Sequence, residues 1–176
     1  MTQSKSNIVN RLGINPEVLR DVVDTAIARV GCKIEDFSKP RLTIQFNPSI
    51  HSHGLAQTKK RKIFMSVPWW YYRRTATRKN LRCFYRGHAA PRPDFFKEAV
   101  EVWALLIHEI QHIKDSDDNL VFSGGLRRPK WATRPEEIRA NYSQECARND
   151  ANFFANEVEM EAIFNLALEF EKGVWK

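Results

Sequence analysis

A chain of 176 residues, 43% hydrophobic and 28% charged, has the balance of a soluble globular protein and enough length to bury one sizeable core. No run approaches the roughly 20 apolar residues of a membrane span, so no membrane partner is expected. Three widely spaced cysteines (Cys32, Cys83, Cys146), with no CxxC pair, exclude a disulfide framework and a cysteine-only zinc site. Met1 to Ile14 carries only scattered Ile8, Val9, Leu12 and Ile14, not the continuous apolar core of a signal peptide. A cytoplasmic location with reduced thiols is the expectation.

Asn15-Pro16-Glu17 predicts a helix start, with Asn15 as cap, Pro16 in the first position and an acid in the first turn. Val18, Leu19, Val22, Val23, Ala26, Ile27 and Val30 keep helical spacing until Gly31. After Lys39-Pro40, residues 41–46 alternate as a strand, with Leu42, Ile44 and Phe46 on one face. His51-Ser52-His53-Gly54 reads as a surface loop, because alternate histidines without a nearby acid make a poor metal site. Residues 62–67 read as a second strand, expected to pair with the first as a hairpin and to stop at Pro68.

Between Gln57 and Pro93 the charge has one sign. Lys59, Lys60, Arg61, Lys62, Arg73, Arg74, Arg78, Lys79, Arg82, Arg86 and Arg92 are eleven cations with no acid among them; the chain is +7, so the remainder is −4. Trp69, Trp70, Tyr71, Tyr72, Phe84 and Tyr85 are interleaved with them. Bases stack on aromatic faces while cations track phosphates, so segment 59–92 suits single-stranded nucleic acid or a DNA-bound protein. Aromatics that fill a core, with arginine stems laid beside them, give the same composition, and an acidic peptide would also be attracted.

Asp94 is a good cap for the next helix, whose centre reads Leu105-Leu106-Ile107-His108-Glu109-Ile110-Gln111-His112-Ile113. This is an HExxH pattern in an apolar run. His108 and His112 lie one turn apart on one face, so both imidazoles can reach one metal ion. Glu109 sits off that line but close enough to take a proton from water that the metal activates. Imidazole suits zinc, and the apolar flanks would limit water access and tune the ion. An amphipathic helix that spells the pattern by chance would carry charges on those flanks.

Lys114 to Asn119 closes the helix, and Ser123-Gly124-Gly125 with Arg127, Arg128 and Lys130 reads as a loop bordering a cleft. Thr133-Arg134-Pro135-Glu136 reads as a capping box, followed by helix to the C-terminus with a break. Small Ala140, Ala147, Ala151 and Ala155 would let helices approach closely. Phe153, Phe154, Val158, Ile163, Phe164, Leu166, Leu168 and Phe170 give the last stretch its apolar surface.

The order helix, strand, strand, HExxH helix, acid-bearing helix resembles the minimal zincin fold of zinc metallopeptidases, which implies an α+β chain forming one domain over residues 1–176. Glu137-Ile138-Arg139-Ala140-Asn141 resembles the ExxA(N/D) element of gluzincin-type families, closest to small bacterial and phage metallopeptidases of the ImmA/IrrE kind. The resemblance covers Ile63 to Ala155 and implies His108, His112 and Glu137 as zinc ligands with Glu109 as general base. It also implies a peptide substrate joining an edge strand in extended form, for which residues 63–67 are the expected edge. Tyr85, His88 and Tyr142 are candidates to stabilise an oxyanion.

Three acids compete for the third ligand. Asp118 lies six residues after His112, a spacing some zincins use, but those families place glycine where this chain has Asp115. Glu136 falls where the capping box would turn it back to the Thr133 N–H. Glu137 is free of that task and is favoured, with Asn141 one turn on as hydrogen-bond partner of a ligand histidine.

The basic segment also resembles that of SprT-like DNA-associated proteases. Those use a third histidine downstream, and none follows His112. The expected activity is zinc-dependent hydrolysis of peptide bonds. The alternatives are a nucleic-acid-associated protein on the same scaffold, either a protease of DNA-bound proteins or a protein with non-catalytic structural zinc, and a hydrolase of a non-peptide amide. An intact Glu109 favours the enzyme, because a structural site has no use for a base.

Overall fold

The structure, a computed structural model, describes residues 6–34, 38–49, 52–68, 94–120, 134–153 and 155–175. Their architecture is α+β. Four strands, β1 (Asn7–Asn10), β2 (Thr43–Ser49), β3 (His53–Gln57) and β4 (Lys62–Pro68), form one mixed sheet in the order β1-β2-β4-β3. The described residues also form four helices, α1 (Pro16–Val30), α2 (Phe95–Asp117), α3 (Pro135–Phe153) and α4 (Glu157–Trp175).

Alternation in β2 and β4 aims one row of side chains at the helices. Ile44 faces Ile63 and Phe46 faces Met65 across the pair, and all four are fully buried. The pairing corrects an expectation, however. β2 and β4 run parallel, so they are not a hairpin. The hairpin is β3 with β4, antiparallel, with His53 opposite Ser66 and Gln57 opposite Lys62. The chain runs along β2, returns along β3 and inserts β4 between them. Strand β4 therefore has neighbours on both sides and cannot be the edge; among the described residues β1 and β3 are the edges.

Helix α1 starts as its sequence dictates: the Asn15 side chain accepts from the Glu17 N–H at 2.9 Å, and Gly31 closes it at φ 69°. Asp94 likewise accepts from the Lys97 N–H at 3.0 Å to start α2. Asn156 and Glu159 cap α4 reciprocally, the Glu159 N–H donating to Asn156 at 2.9 Å and the Asn156 N–H to Glu159 at 3.1 Å. Ile163, Leu166 and Phe170 of α4 are buried, whereas Val158, Phe164 and Leu168 face outward.

Helix α2 is the centre of the packing and contacts α1, α3, α4, β3 and β4. Its Trp103 is fully buried and donates through Nε1 to Thr25 Oγ1 of α1 at 3.2 Å. Arg29 lies over the Trp103 ring, 5.4 Å from its centroid, and pairs with Asp150 of α3 and Glu159 of α4. One arginine thus joins four helices.

The far end of α2 is tied to the sheet by Arg61, which ends the short turn between β3 and β4 in a left-handed conformation (φ 47°). Its buried guanidinium pairs with Asp117 and donates to the Lys33 carbonyl at 3.3 Å. Removing one partner of a buried pair leaves the other charge uncompensated. Asp117→Ala is therefore expected to destabilise the fold by about 3 kcal/mol in urea unfolding. A loss below about 1 kcal/mol would show that water reaches Arg61 freely.

No helix among the described residues is long and apolar enough to cross a membrane.

Candidate metal centre

Helical spacing puts His108 and His112 side by side, and burial of α2 holds them inside the protein. Their Nε2 atoms lie 3.1 Å apart, and Oε2 of Glu137, from the first turn of α3, sits 3.8 Å from the first and 3.6 Å from the second. Tetrahedral ligands at about 2.05 Å from a zinc ion stand roughly 3.3 Å from one another. The three separations bracket that value, so the donor set fits. The group His108, His112 and Glu137 is largely buried and could hold a metal ion. The other two acids are placed differently: Asp118 is the exposed C-cap residue of α2, and Glu136 lies outside the converging group.

Burial pushes His108 down to about 4, and the charge of His112 beside it acts in the same direction. Burial lowers His112 as well, against the pull of Asp115 and Glu136. Both imidazoles are consequently neutral at pH 7, the form that binds metal. Glu109 moves the other way, raised to about 7 first by burial, then by Glu137, with a hydrogen bond from the Ala56 backbone opposing. A carboxylate tuned to neutral pH is suited to accept and return a proton.

Strand β3 fits closely around Glu109. A Cβ on Gly54 would lie 2.5 Å from both Cγ and Oε1 of Glu109, closer than atoms pack. Glycine is needed here because the carboxylate lies directly against the strand, not because of an unusual backbone angle. Gly54→Ala is expected to force Glu109 or the strand to shift and to destabilise the fold by about 1–3 kcal/mol in urea unfolding. Unchanged stability would mean that the Glu109 side chain swings aside at no cost.

Polar pairs align α3 against α2. Arg139 donates to the fully buried Asp115 at 2.9 Å and to the Leu120 carbonyl at 2.9 Å. Ser143 donates to Gln111 at 3.2 Å, and Arg148 pairs with Glu101 at 2.8 Å. Ala140, Ala147 and Ala151 are buried and let the helices come close. Asp115, three residues after His112, thus anchors the turn that presents Glu137. In this alignment Gln144 lies beside the His108 side chain and pulls its pKa upward against burial, while His108 Nδ1 has no hydrogen-bond partner among the described residues. Asn141 is exposed, so it does not fill the role expected of it.

A cleft of about 240 Å³ opens beside the group. Gly54, Leu55 and Ala56 of β3 line it together with the HExxH side chains, Arg134, Glu136 and Glu137. The edge strand facing the site is β3 and not residues 63–67. Tyr142 is 72% exposed and does not line the cleft, while Tyr85 and His88 lie outside the described residues. His53 is on β3, exposed, with Nε2 at 3.2 Å from Ser66 Oγ, and is not part of the metal group.

Of the eleven cations of segment 59–92, Lys59, Lys60 and Lys62 are exposed and Arg61 is buried against Asp117. The other seven, with all the interleaved aromatics, lie outside the described residues, as do Arg127, Arg128, Lys130 and Thr133. Gly54 and Gln144 are the site residues that sequence reasoning missed.

Comparison with protein-family models, with curated proteins and with solved structures finds no match to this chain.

Proposed function

We propose that the protein is a zinc-dependent peptidase of minimal zincin-like fold, with His108, His112 and Glu137 holding the metal and Glu109 as general base. The observation that carries this reading is the convergence of two neutral imidazoles and a carboxylate beside a buried glutamate, at a cleft bordered by an edge strand. Two imidazoles and a carboxylate are a common catalytic zinc set, which leaves a coordination position open. Zinc bound there supplies Lewis-acid polarisation of a carbonyl and makes water acidic enough to attack at neutral pH.

The rest of the chemistry belongs to the chain. An extended peptide adds to β3 through main-chain hydrogen bonds, which sets its scissile carbonyl beside the histidines. Glu109, one residue from the first ligand and near neutral in its titration, takes the proton from the attacking water and returns it to the leaving amine. Gly54 leaves the space in which that carboxylate lies. A purely structural zinc would give no reason to keep a carboxylate buried at a cleft.

Incubation of the zinc-loaded chain with a mixed peptide library, read by mass spectrometry, tests the proposal. Cleavage that a chelator stops and added zinc restores is expected. Zinc-loaded protein that cleaves no peptide in the library contradicts it.

A further inference from the structure

Glu136 stands next to Glu137 in the chain but does something different. It is 5% exposed, it lines the cleft, and its Oε2 has no hydrogen-bond partner among the described residues. No described residue donates to this oxygen, and the converging metal group does not include it. A buried acceptor left unmade is costly, so such atoms are normally bonded to protein, water or ligand. A carboxylate oxygen buried at the wall of a cleft is completed best by a charged donor.

We infer that Glu136 forms a subsite for a cationic group of the substrate, an ammonium or guanidinium seated in the cleft beside the metal group. The inference rests on the peptidase reading and adds a substrate class to it. Glu137 directs its Oε2 at the two histidines, and Glu109 lies against Gly54, so Glu136 Oε2 is the cleft carboxylate oxygen left without a partner among the described residues. Arg134 lines the same cleft but has interactions of its own, and Glu136 acts on His112 only through its charge. The cation has two natural sources. An α-ammonium at the start of a peptide would make the enzyme read chain ends, and a lysine or arginine side chain would make it read sequence.

Affinity separates these without any turnover. The zinc-loaded full chain is titrated calorimetrically with three hydroxamates, which ligate zinc directly: Nα-acetyl-norleucine hydroxamate (neutral), norleucine hydroxamate (α-ammonium only) and Nα-acetyl-lysine hydroxamate (side-chain ammonium only). One cationic probe is expected to bind roughly ten- to a hundredfold tighter than the neutral one, the range of a hydrogen bond to a charged group. The α-ammonium probe leading assigns chain-end recognition; the lysine probe leading assigns side-chain recognition. Glu136→Gln is expected to level the series. Should that variant not fold, Glu136→Asp, which keeps the charge one methylene back, is expected to weaken the preference. Equal binding of all three probes to wild type, or a preference that survives both substitutions, overturns the subsite while leaving the metal centre standing. Failure of every hydroxamate to bind removes the metal-centre reading, and the subsite with it.

Discussion

Replacing Glu109 with glutamine is expected to abolish hydrolysis while leaving zinc in place. The substitution keeps size and shape but removes the proton acceptor, and loss of a general base costs about 10²- to 10⁴-fold in rate. His108 and His112 are untouched, so metal affinity should stay within a fewfold of wild type. A second signature appears in the metal-free protein. The folded-state pKa of Glu109 is raised from 4.5 to about 7, so folding disfavours its charged form. Its burden on stability is absent below the unfolded value of 4.5, grows as pH rises and is complete above about 7. Glutamine has no charge to bury. The metal-free Glu109→Gln variant should therefore match wild type near pH 4 and exceed it at pH 8 by up to about 3 kcal/mol in urea unfolding. Wild-type hydrolysis by the variant, or an equal stability difference at both pH values, contradicts the role given to Glu109.

Glu137→Ala is expected to weaken zinc binding by more than about a hundredfold, beyond the 10- to 100-fold that loss of an outer hydrogen-bond partner costs. The reason is geometric. Oε2 of Glu137 completes a triangle with the two Nε2 atoms, and no other His, Cys, Asp or Glu among the described residues joins that group. Asp118→Ala should bind zinc as wild type does, because Asp118 is an exposed cap at the end of α2. Competition with a chromophoric chelator measures both. Unchanged affinity in Glu137→Ala would move the third ligand elsewhere.

Local signals in the sequence were legible wherever one residue's chemistry decides. Asn15, Pro16 and Gly31 bound α1, Asp94 starts α2, and the alternation around Ile44 and Ile63 names the buried face of two strands. Alternation tells which face is buried and says nothing about which strand is next. That is why β2 and β4, both apolar on one face, were expected to form a hairpin when they run parallel. Strand β3 was hidden by composition, because His53-Gly54-Leu55-Ala56-Gln57 has little β propensity and no apolar alternation. Gly54 went with it. A glycine read in a loop explains itself by turning, and only the packed strand shows the carboxylate of Glu109 in the space a methyl would fill.

The HExxH face was readable because helix spacing alone brings His108 and His112 together. Which α3 residue lies beside His108 was not readable, since it depends on where α3 lies along α2. Pairing of Arg139 with Asp115 and of Arg148 with Glu101 sets that alignment, which brings Gln144 near His108 and leaves Asn141 exposed.

The central claim is that His108, His112 and Glu137 hold one divalent ion. Elemental analysis after dialysis against trace zinc tests it most directly, on wild type and on the His112→Ala and Glu137→Ala variants, with circular dichroism to confirm that each is folded. About one zinc per wild-type chain and little or none in either folded variant is the expected result. A folded wild-type chain that retains no zinc, or folded variants that retain as much as wild type, would contradict it.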